Sequence, residues 1–138
     1  MLLEEARRRF GEARVGRLAT ADGSGRPHVV PFVFAVDGDR LWWAVDHKPK
    51  RTTALRRLAN IAENPRVSAL VDGYDEDWSS LWWVRADGAA RVVTDEAQRA
   101  EGLRALVAKY AQYRTATPGG PVVAIDVERW TGWSASGD

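Results

Sequence analysis

Cysteine is absent from this chain of 138 residues, and histidine occurs only twice. The lack of cysteine excludes disulfides, cysteine-ligated zinc sites, iron–sulfur clusters and a thiol nucleophile. Two histidines are also too few for a histidine-rich metal centre. We therefore predict that the protein has no metal site.

An excess of charge of one sign is lacking as well, since 20 basic and 19 acidic residues give a net charge of +1. The whole molecule therefore has no strong attraction for nucleic acid or an anionic membrane, and any anion site must be local. No apolar run approaches the length of a membrane span, and residues 1–10 do not form a secretory signal. These absences predict a cytoplasmic protein without nucleic-acid or membrane partners, folded as one domain over 1–138.

The residues that are present favour short strands joined by tight turns. Asp-Gly and Ser-Gly pairs supply the positive φ of hairpin turns, between β-branched and aromatic runs. The predicted elements are a helix over 2–12, strands over 15–20, 27–36 and 40–45, a helix over 52–63, a strand over 66–72, a hairpin over 81–87 and 89–94 about Asp87-Gly88, a helix over 95–112 and a strand over 121–130. Because the early turns are too short for helical crossovers, we predict a mainly β, six- to seven-stranded antiparallel barrel with flanking helices.

Seven tryptophans are many for this length, and four of them form the adjacent pairs Trp42-Trp43 and Trp82-Trp83. Adjacent residues of a strand point to opposite faces, so one tryptophan of each pair should fill the barrel and the other should face outward. Three explanations stay open for the outward side chains. They are core packing under a covering helix, a homodimer interface, or stacking on a flat cofactor ring by one of the tryptophans at 78, 82 and 133.

A basic loop precedes the helix predicted over 52–63. It contains Lys48, Lys50 and Arg51, with Thr52 as the expected N-cap. Helix N-termini present unpaired N–H groups and the positive end of the helix dipole, so they favour anions. The loop is therefore a candidate phosphate site, and the alternative of an ordinary solvated basic loop stays open on composition alone.

The remaining polar residues give no catalytic motif. No Ser–His–Asp order, phosphate-binding P-loop or metal-ligand spacing occurs in the sequence. His28 and His47 are interpreted as hydrogen-bonded structural residues. Arg85, in the middle of a predicted strand, needs either a carboxylate partner or a ligand anion, and both remain open.

Five segments follow one another along the chain in an order that is informative about its family. They are ARVGRLAT, GRPHVVPFVF, LWWAV, KPKRTTALRRL and NPRVSALVD. Their order resembles the split-barrel flavin-binding superfamily, which includes the pyridoxamine-phosphate oxidases and the reductases that use the deazaflavin coenzyme F420. The combination of DWSSLWWVRADGAARV with a closing GWSA is most similar to a small actinobacterial subfamily of the deazaflavin class. The chain has KPKR instead of the oxidases' Ser-Arg-Lys triplet and lacks their extended pyridoxal-phosphate-binding tail, which favours a deazaflavin reductase.

The resemblance implies a homodimeric split barrel with two cofactor sites at the subunit interface. It also implies which residues contact the cofactor. These are Lys48, Lys50, Arg51 and Thr52 at the phosphate, His28, Pro31 and Val33 on the second strand, the backbone of Trp43, Ala44 and Val45 beside the ring, and Trp78 and Trp82 from the partner chain.

The expected activity is hydride transfer from the reduced deazaflavin to a small, planar, unsaturated acceptor. Because the cofactor carries the chemistry, no catalytic side chain is assigned. Two alternatives stay open. One is an FMN-dependent oxidase or reductase of the pyridoxamine-phosphate oxidase type, and the other is a non-catalytic protein that binds a flavin, a deazaflavin or haem.

Overall fold

The computed structural model describes residues 1–46 and 53–137, without the side chains of residues 53 and 54. The elements in chain order are α1 (Leu3–Glu12), β1 (Gly16–Ala21), β2 (Pro27–Phe32), β3 (Ala35–Asp37), β4 (Arg40–Ala44), α2 (Thr53–Glu63), β5 (Arg66–Gly73), a 3-10 turn (Trp78–Ser80), β6 (Trp82–Val92), α3 (Glu96–Lys109), α4 (Gln112–Thr115) and β7 (Val122–Ser134). No helix in these ranges combines the length and the apolar character that crossing a membrane requires.

The seven strands of the described ranges form one antiparallel sheet in the order β2-β1-β5-β6-β7-β4-β3. β2 and β3 lie at opposite edges of this sheet, yet only residues 33–34 separate them along the chain. The sheet must therefore curl until its two edges approach each other. This closure gives a barrel that is split between β2 and β3, because no ladder joins those strands. The predicted antiparallel split barrel with flanking helices is confirmed.

The predicted hairpin at Asp87-Gly88 is wrong. β6 runs unbroken through this point and pairs with β5 on one side and β7 on the other. The Asp-Gly pair instead lies opposite a bulge in β7, where Glu128 is the extra residue, and a Cβ on Gly88 would lie 2.2 Å from the carbonyl oxygen of Asp126. Glycine is therefore needed here for a close approach of two backbones, not for a reversal of the chain.

Two further strand boundaries differ from the predicted ones. The strand predicted over 27–36 divides into β2 and β3, because the chain crosses from one sheet edge to the other at residues 33–34. The last strand, predicted over 121–130, continues to Ser134 because its second half pairs with β6.

The barrel interior is filled by apolar side chains of β1, β2, β4, β5, β6 and β7. Helix α1 contributes Phe10, which is fully buried with its ring centroid 4.9 Å from that of Phe34 and 5.4 Å from that of Trp130. Burying such a ring stabilises the fold by about 2–3 kcal/mol. Helix α2 packs on β1 and β6, and its Asn60 side chain donates a buried hydrogen bond of 2.9 Å to the Thr20 hydroxyl.

A second apolar cluster lies outside the barrel wall, where α3 covers β3, β4 and part of β7. Trp42 belongs to this cluster, and Trp43 points into the barrel interior, so their exposures are 0% and 1%. Gly102 lets α3 lie directly on the indole, because a Cβ there would come within 2.5 Å of the Trp42 ring. For the first tryptophan pair, core packing under a covering helix is thus the correct explanation.

Candidate cofactor site

The outer face of β1, β2, β5 and β6 remains open, and it brings aromatic and charged side chains together. On β6 the side chains alternate, with Val84 buried inside and Trp83 and Arg85 partly exposed outside. Trp83 pairs in register with Asp72 of β5 and with Trp133 of β7. Because paired residues share a face of the sheet, the two tryptophans are side by side.

These side chains line an open groove of about 480 Å³. The rest of its lining is formed by Arg17, Ala19, Val29, Ser68, Leu70, Gly73, Tyr74, Leu81 and Trp82. Val29 is 64% exposed and Trp133 is 45% exposed, which is high for large apolar side chains. A mainly apolar, aromatic groove of this size with a few polar groups is typical of a small-molecule site.

Two arginines of the groove lie on either side of Leu70 in β5. Leu70 pairs in register with Arg17 of β1 and with Arg85 of β6. Arg85 Nε donates a hydrogen bond of 3.0 Å to Asp87 Oδ2, and the Ser68 hydroxyl donates to the other oxygen of the same carboxylate. Of the two possibilities left open for Arg85, the structure therefore supplies the carboxylate partner. Arg17 has no ion pair with another described residue, so its cation is available to a ligand.

The tryptophans predicted to come from a partner chain lie at the rim and wall of this groove. Trp82 lines the groove and also contacts Arg9, whose guanidinium carbon is 5.1 Å from the ring centroid. Trp78 is exposed, and its indole Nε1 donates a hydrogen bond of 3.3 Å to the Tyr74 hydroxyl, which places it beside a lining residue. The structure therefore brings both predicted tryptophans to one place.

The residues predicted on the second strand fall on opposite faces of β2. Pro31 is exposed on the same face as Val29 of the groove, and Val33 is exposed just beyond the end of β2. His28 alternates to the other side, where it is half-buried and its Nδ1 atom is buried without a hydrogen-bond partner in the described structure. The structure thus brings Pro31 to the open face and separates His28 from it.

At the end of β4 the large side chains are buried, so only main-chain atoms are candidates for contact with a cofactor ring. Trp43 and Val45 are buried, and Ala44 is half-buried. The backbone at Val45 is fixed by two hydrogen bonds to the loop before β7, of 2.9 Å to the carbonyl of Pro121 and 3.0 Å from the amide of Gly120. The predicted contact of a cofactor ring with the main chain of these three residues stays a prediction. The predicted phosphate residues Lys48, Lys50, Arg51 and Thr52, together with His47, lie outside the described residues.

Arg57 of α2 is a charged residue that the sequence patterns did not single out. Its guanidinium carbon lies 4.4 Å from the centroid of the Trp43 ring. Burial lowers the pKa of Arg57, and burial also raises the pKa of the nearby Tyr113 hydroxyl. The Nε atom of Arg57 and the indole Nε1 of Trp43 are both buried without a hydrogen-bond partner in the described structure. No sequence signal marks Arg57, because its exposed neighbour Arg56 carries the same charge.

Two groove residues, Arg17 and Trp83, were also missed from the sequence. Strand alternation could have indicated Trp83, because Val84 and Ala86 on the other face of β6 are the more apolar side. Arg17 could not have been found in this way, because its place beside Leu70 depends on the pairing of β1 with β5. Among the described residues, no group of three histidines or carboxylates is arranged to hold a metal ion.

The model of the pyridoxamine 5′-phosphate oxidase family matches residues 2–134. The chain belongs to this family. Among proteins with curated descriptions, none is similar enough in sequence to match.

Several solved structures share the family's fold. The conserved protein Rv2991 from Mycobacterium tuberculosis is 23% identical with a TM-score of 0.77, and the match covers 99% of this chain and 86% of that chain. An FAD-binding protein from Mesorhizobium loti is 25% identical with a TM-score of 0.72, over 96% of this chain and 94% of that chain. The haem storage protein HutZ from Vibrio cholerae is 16% identical with a TM-score of 0.70, over 96% and 91% of the two chains. Proteins that share this architecture thus carry different ligands, so the fold alone does not assign one.

Proposed function

We propose that this member of the pyridoxamine 5′-phosphate oxidase family is an oxidoreductase that binds coenzyme F420. Its reaction is the transfer of a hydride from the reduced deazaflavin to a small, planar, unsaturated acceptor. The observation that carries the proposal is the open groove of about 480 Å³ with tryptophans side by side on its wall. The choice of a deazaflavin over a flavin rests on the sequence, which has KPKR in place of the oxidases' Ser-Arg-Lys triplet. A cysteine-free protein of this type fits the reducing cytoplasm.

The residues of the chain fit such a group in three ways. The indoles of Trp82, Trp83 and Trp133 offer flat apolar surface for a ring and keep water away from it. Arg17 and Arg85 supply positive charge in the same groove. The bound deazaflavin itself would supply the hydride, so the chain has to bind, orient and shield, and no side chain has to act as a nucleophile.

The phosphate of the cofactor is assigned to the basic segment after β4. Lys48, Lys50 and Arg51 provide the positive charges, and Thr52 precedes α2, whose first turn begins at Thr53. Arginine binds phosphate through two parallel hydrogen bonds, while lysine acts as a point charge. The proposal therefore predicts that this segment contributes affinity for the phosphate and not for the ring.

We also propose that the protein is a homodimer whose subunits meet through the open face. Val29 and Pro31 form an exposed apolar edge on β2 beside the groove, and Val33 is exposed just beyond the end of that strand. Such a patch on a small protein favours association, and a second copy would cover it. In this arrangement Trp78 and Trp82 of one copy would complete the cofactor site of the other, so each site would need both chains.

The second candidate function is an FMN-dependent oxidase or reductase, or a non-catalytic protein that binds a flavin, a deazaflavin or haem. The FAD-binding relative from Mesorhizobium loti favours a flavin, and the haem storage relative from Vibrio cholerae favours haem. A haem site would need an iron ligand, and His28, the one histidine among the described residues, faces away from the exposed edge of β2. This favours the flavin over haem as the runner-up.

The test is a titration of the purified apoprotein with coenzyme F420 and, separately, with FMN, followed by tryptophan fluorescence. We expect micromolar or tighter binding of the deazaflavin and much weaker binding of FMN. A Lys50→Ala, Arg51→Ala double variant should lose affinity for the deazaflavin. The matched control is Arg26→Ala, Arg104→Ala, which removes the same charge from two exposed positions elsewhere.

Turnover is then measured anaerobically as oxidation of the reduced deazaflavin by a panel of quinones and other planar unsaturated acceptors. Preference for FMN would move the assignment to the flavin enzymes. Binding of neither ligand would contradict the proposal. Tight binding without turnover on any acceptor would favour a carrier of the cofactor.

A further inference from the structure

The C-terminal end of α3 places the side-chain amine of Lys109 among aromatic rings and beside a second cation. Lys109 Nζ lies 4.0 Å from the centroid of the Phe34 ring and 5.1 Å from that of the Tyr110 ring. The guanidinium carbon of Arg14 lies 4.8 Å from the centroid of the same Tyr110 ring. None of these four side chains lines the groove of the candidate cofactor site, so the proposed function does not use them.

Four hydrogen bonds hold this cluster in place. Lys109 Nζ donates to the carbonyl of Ala13 at 2.7 Å, and the Arg14 guanidinium donates to the carbonyl of Lys109 at 3.3 Å. The Tyr110 hydroxyl donates to the carbonyl of Arg14 and accepts from the amide of Phe34, both at 3.1 Å. The position of the amine is therefore set by the ends of α1 and α3 and by the crossing between β2 and β3.

Lys109 carries its charge without an ion-pair partner in the described structure. No salt bridge of the described ranges includes Lys109, and the charge that acts on it is that of Arg14, which has the same sign. Burial, aided by Arg14, lowers the pKa of Lys109 to about 8. The Phe34 ring attracts an ammonium and acts in the opposite direction, but this attraction is weak at a partly exposed site. Near neutral pH the side chain is therefore a neutral amine for much more of the time than an ordinary lysine is.

We propose that Lys109 is a modification site, at which the side-chain amine is acylated by acyl phosphates. Two features of the cluster favour this chemistry. The Lys109 side chain is partly exposed, so a small acyl donor can reach its nitrogen. Arg14 is exposed beside it, and its guanidinium supplies the positive charge that attracts the phosphoryl group of the donor.

The reaction needs no other group of the protein. The neutral Nζ forms a bond to the carbonyl carbon of the acyl phosphate, and the bond from that carbon to the bridging oxygen breaks. Phosphate leaves with the electron pair of that bond, and the nitrogen gives one proton to water. The product amide keeps one N–H, which can still donate to the carbonyl of Ala13, so the fold can accommodate the acylated side chain.

The first experiment measures the rate of acetylation at Lys109 by acetyl phosphate, using peptide mass spectrometry between about pH 7 and pH 10. The same chain unfolded in guanidinium chloride provides the reference. A less basic amine is also less nucleophilic, which offsets part of the gain in neutral amine. We therefore expect the folded chain to react about fivefold faster at pH 7.5.

The shape of the pH profile gives a second readout of the same experiment. The rate for the folded chain should level off above about pH 9, while the rate for the unfolded chain should still rise toward its lysine pKa of 10.5. A folded chain that reacts no faster than the unfolded one at pH 7.5, or whose rate rises in parallel with it, would overturn the proposal.

Variants of Arg14 test whether the cluster causes the reactivity. Arg14→Gln should slow acetylation of the folded chain at least threefold, because it removes the charge that lowers the pKa of Lys109 and attracts the donor. Arg14→Lys should restore most of the rate. Arg104→Gln is the matched control, since it removes the same charge from an exposed position of α3, and it should react like the parent. Equal rates for Arg14→Gln and Arg104→Gln would contradict the role of the cluster.

An uncharged acetyl donor, the N-hydroxysuccinimide ester of acetic acid, tests the choice of acyl phosphates. Arg14→Gln should slow the reaction with this ester less than the reaction with acetyl phosphate, because the ester has no phosphoryl group for Arg14 to attract. Equal slowing with both donors would overturn the assignment of acyl phosphates as the donor class.

Discussion

The two tryptophan pairs have the same sequence and the same strand setting, yet they differ completely in burial. Trp42 and Trp43 are buried on both faces of β4, whereas Trp82 and Trp83 of β6 remain partly exposed. In each pair the alternation of the strand sends the two rings to opposite sides. The difference arises outside the barrel, where α3 covers Trp42 and the groove leaves Trp83 open.

The outer surface of the sheet thus has two parts with different roles. We call the part under α3, which contains Trp42, the covered half, and the part that forms the groove, which contains Trp83, the open half. The covered half is closed by a helix about 60 residues away from Trp42 along the chain, and the fit depends on Gly102. The open half keeps aromatic surface that costs stability in water unless a ligand or a second subunit covers it. We therefore expect mutations in the covered half to act on folding and those in the open half to act on binding and association.

The largest expected effect comes from truncating one tryptophan in each half. Trp42→Ala should lower the free energy of unfolding by about 3–5 kcal/mol, because it leaves a large cavity under α3. Trp83→Ala should cost less than half as much, because its ring is already partly in water. Urea denaturation of both variants measures the difference, and equal losses would show that the open half is not open in solution.

A smaller effect is expected from adding one methyl group under the covering helix. Gly102→Ala should destabilise by about 1–3 kcal/mol, although alanine is normally the better helix former, because its Cβ would overlap the Trp42 ring. Gly11→Ala in α1 is the matched control, since its Cβ would meet Val36 at an ordinary 3.7 Å. Thermal unfolding should show a loss for the first variant only, and Trp42→Phe should relieve it. A gain in both variants would refute the close contact.

On the open half, we expect an added charge to weaken dimerisation without lowering the free energy of unfolding. Val29→Glu places a carboxylate on the exposed edge of β2, and we expect at least tenfold weaker dimerisation, or about 1.4 kcal/mol. Ala108→Glu, on an exposed position of α3, is the control and should leave dimerisation unchanged. Sedimentation velocity over a range of concentrations measures both. A parent protein that stays monomeric throughout would remove the dimer from the proposal.

The smallest effect concerns Lys109 at the end of α3. Its ammonium lies 4.0 Å from the centroid of Phe34 and donates to the carbonyl of Ala13, and burial, aided by Arg14, lowers the pKa of Lys109 to about 8. The folded chain therefore loses this proton before the unfolded chain does, whose lysine pKa is 10.5. Stability should rise with pH between these values and should not depend on this group below the lower one.

The expected gain from pH 7.5 to 9.5 is only about 1 kcal/mol, because the side chain is partly exposed and solvent screens it. Lys109→Gln should lack this gain. Chemical denaturation of both proteins at the two pH values tests the prediction, and parallel pH profiles would contradict it.

The fold was largely predictable, because its strands and turns are set by local chemistry. Gly25 and Gly38 have positive φ values of 87° and 61°, as the Ser-Gly and Asp-Gly pairs predict for turns. The third such signal, Asp87-Gly88, was misleading, because the glycine serves a close approach of two backbones opposite a bulge in β7 and not a turn. The candidate site was less predictable. Pro31 reaches the open face by alternation along β2, but the same alternation removes His28, which the resemblance had grouped with it.

The sequence by itself determined the antiparallel strands and their order along the chain, because turn residues and apolar alternation act over a few neighbouring positions. It also determined that four tryptophans would project from both sides of two strands. Contacts in the tertiary structure settle which of those rings is covered, that Gly88 lies opposite a bulge in β7, and that Arg85 has a carboxylate partner while Arg57 has none among the described residues. Each of these outcomes depends on contacts between residues far apart in the chain, which no local pattern encodes.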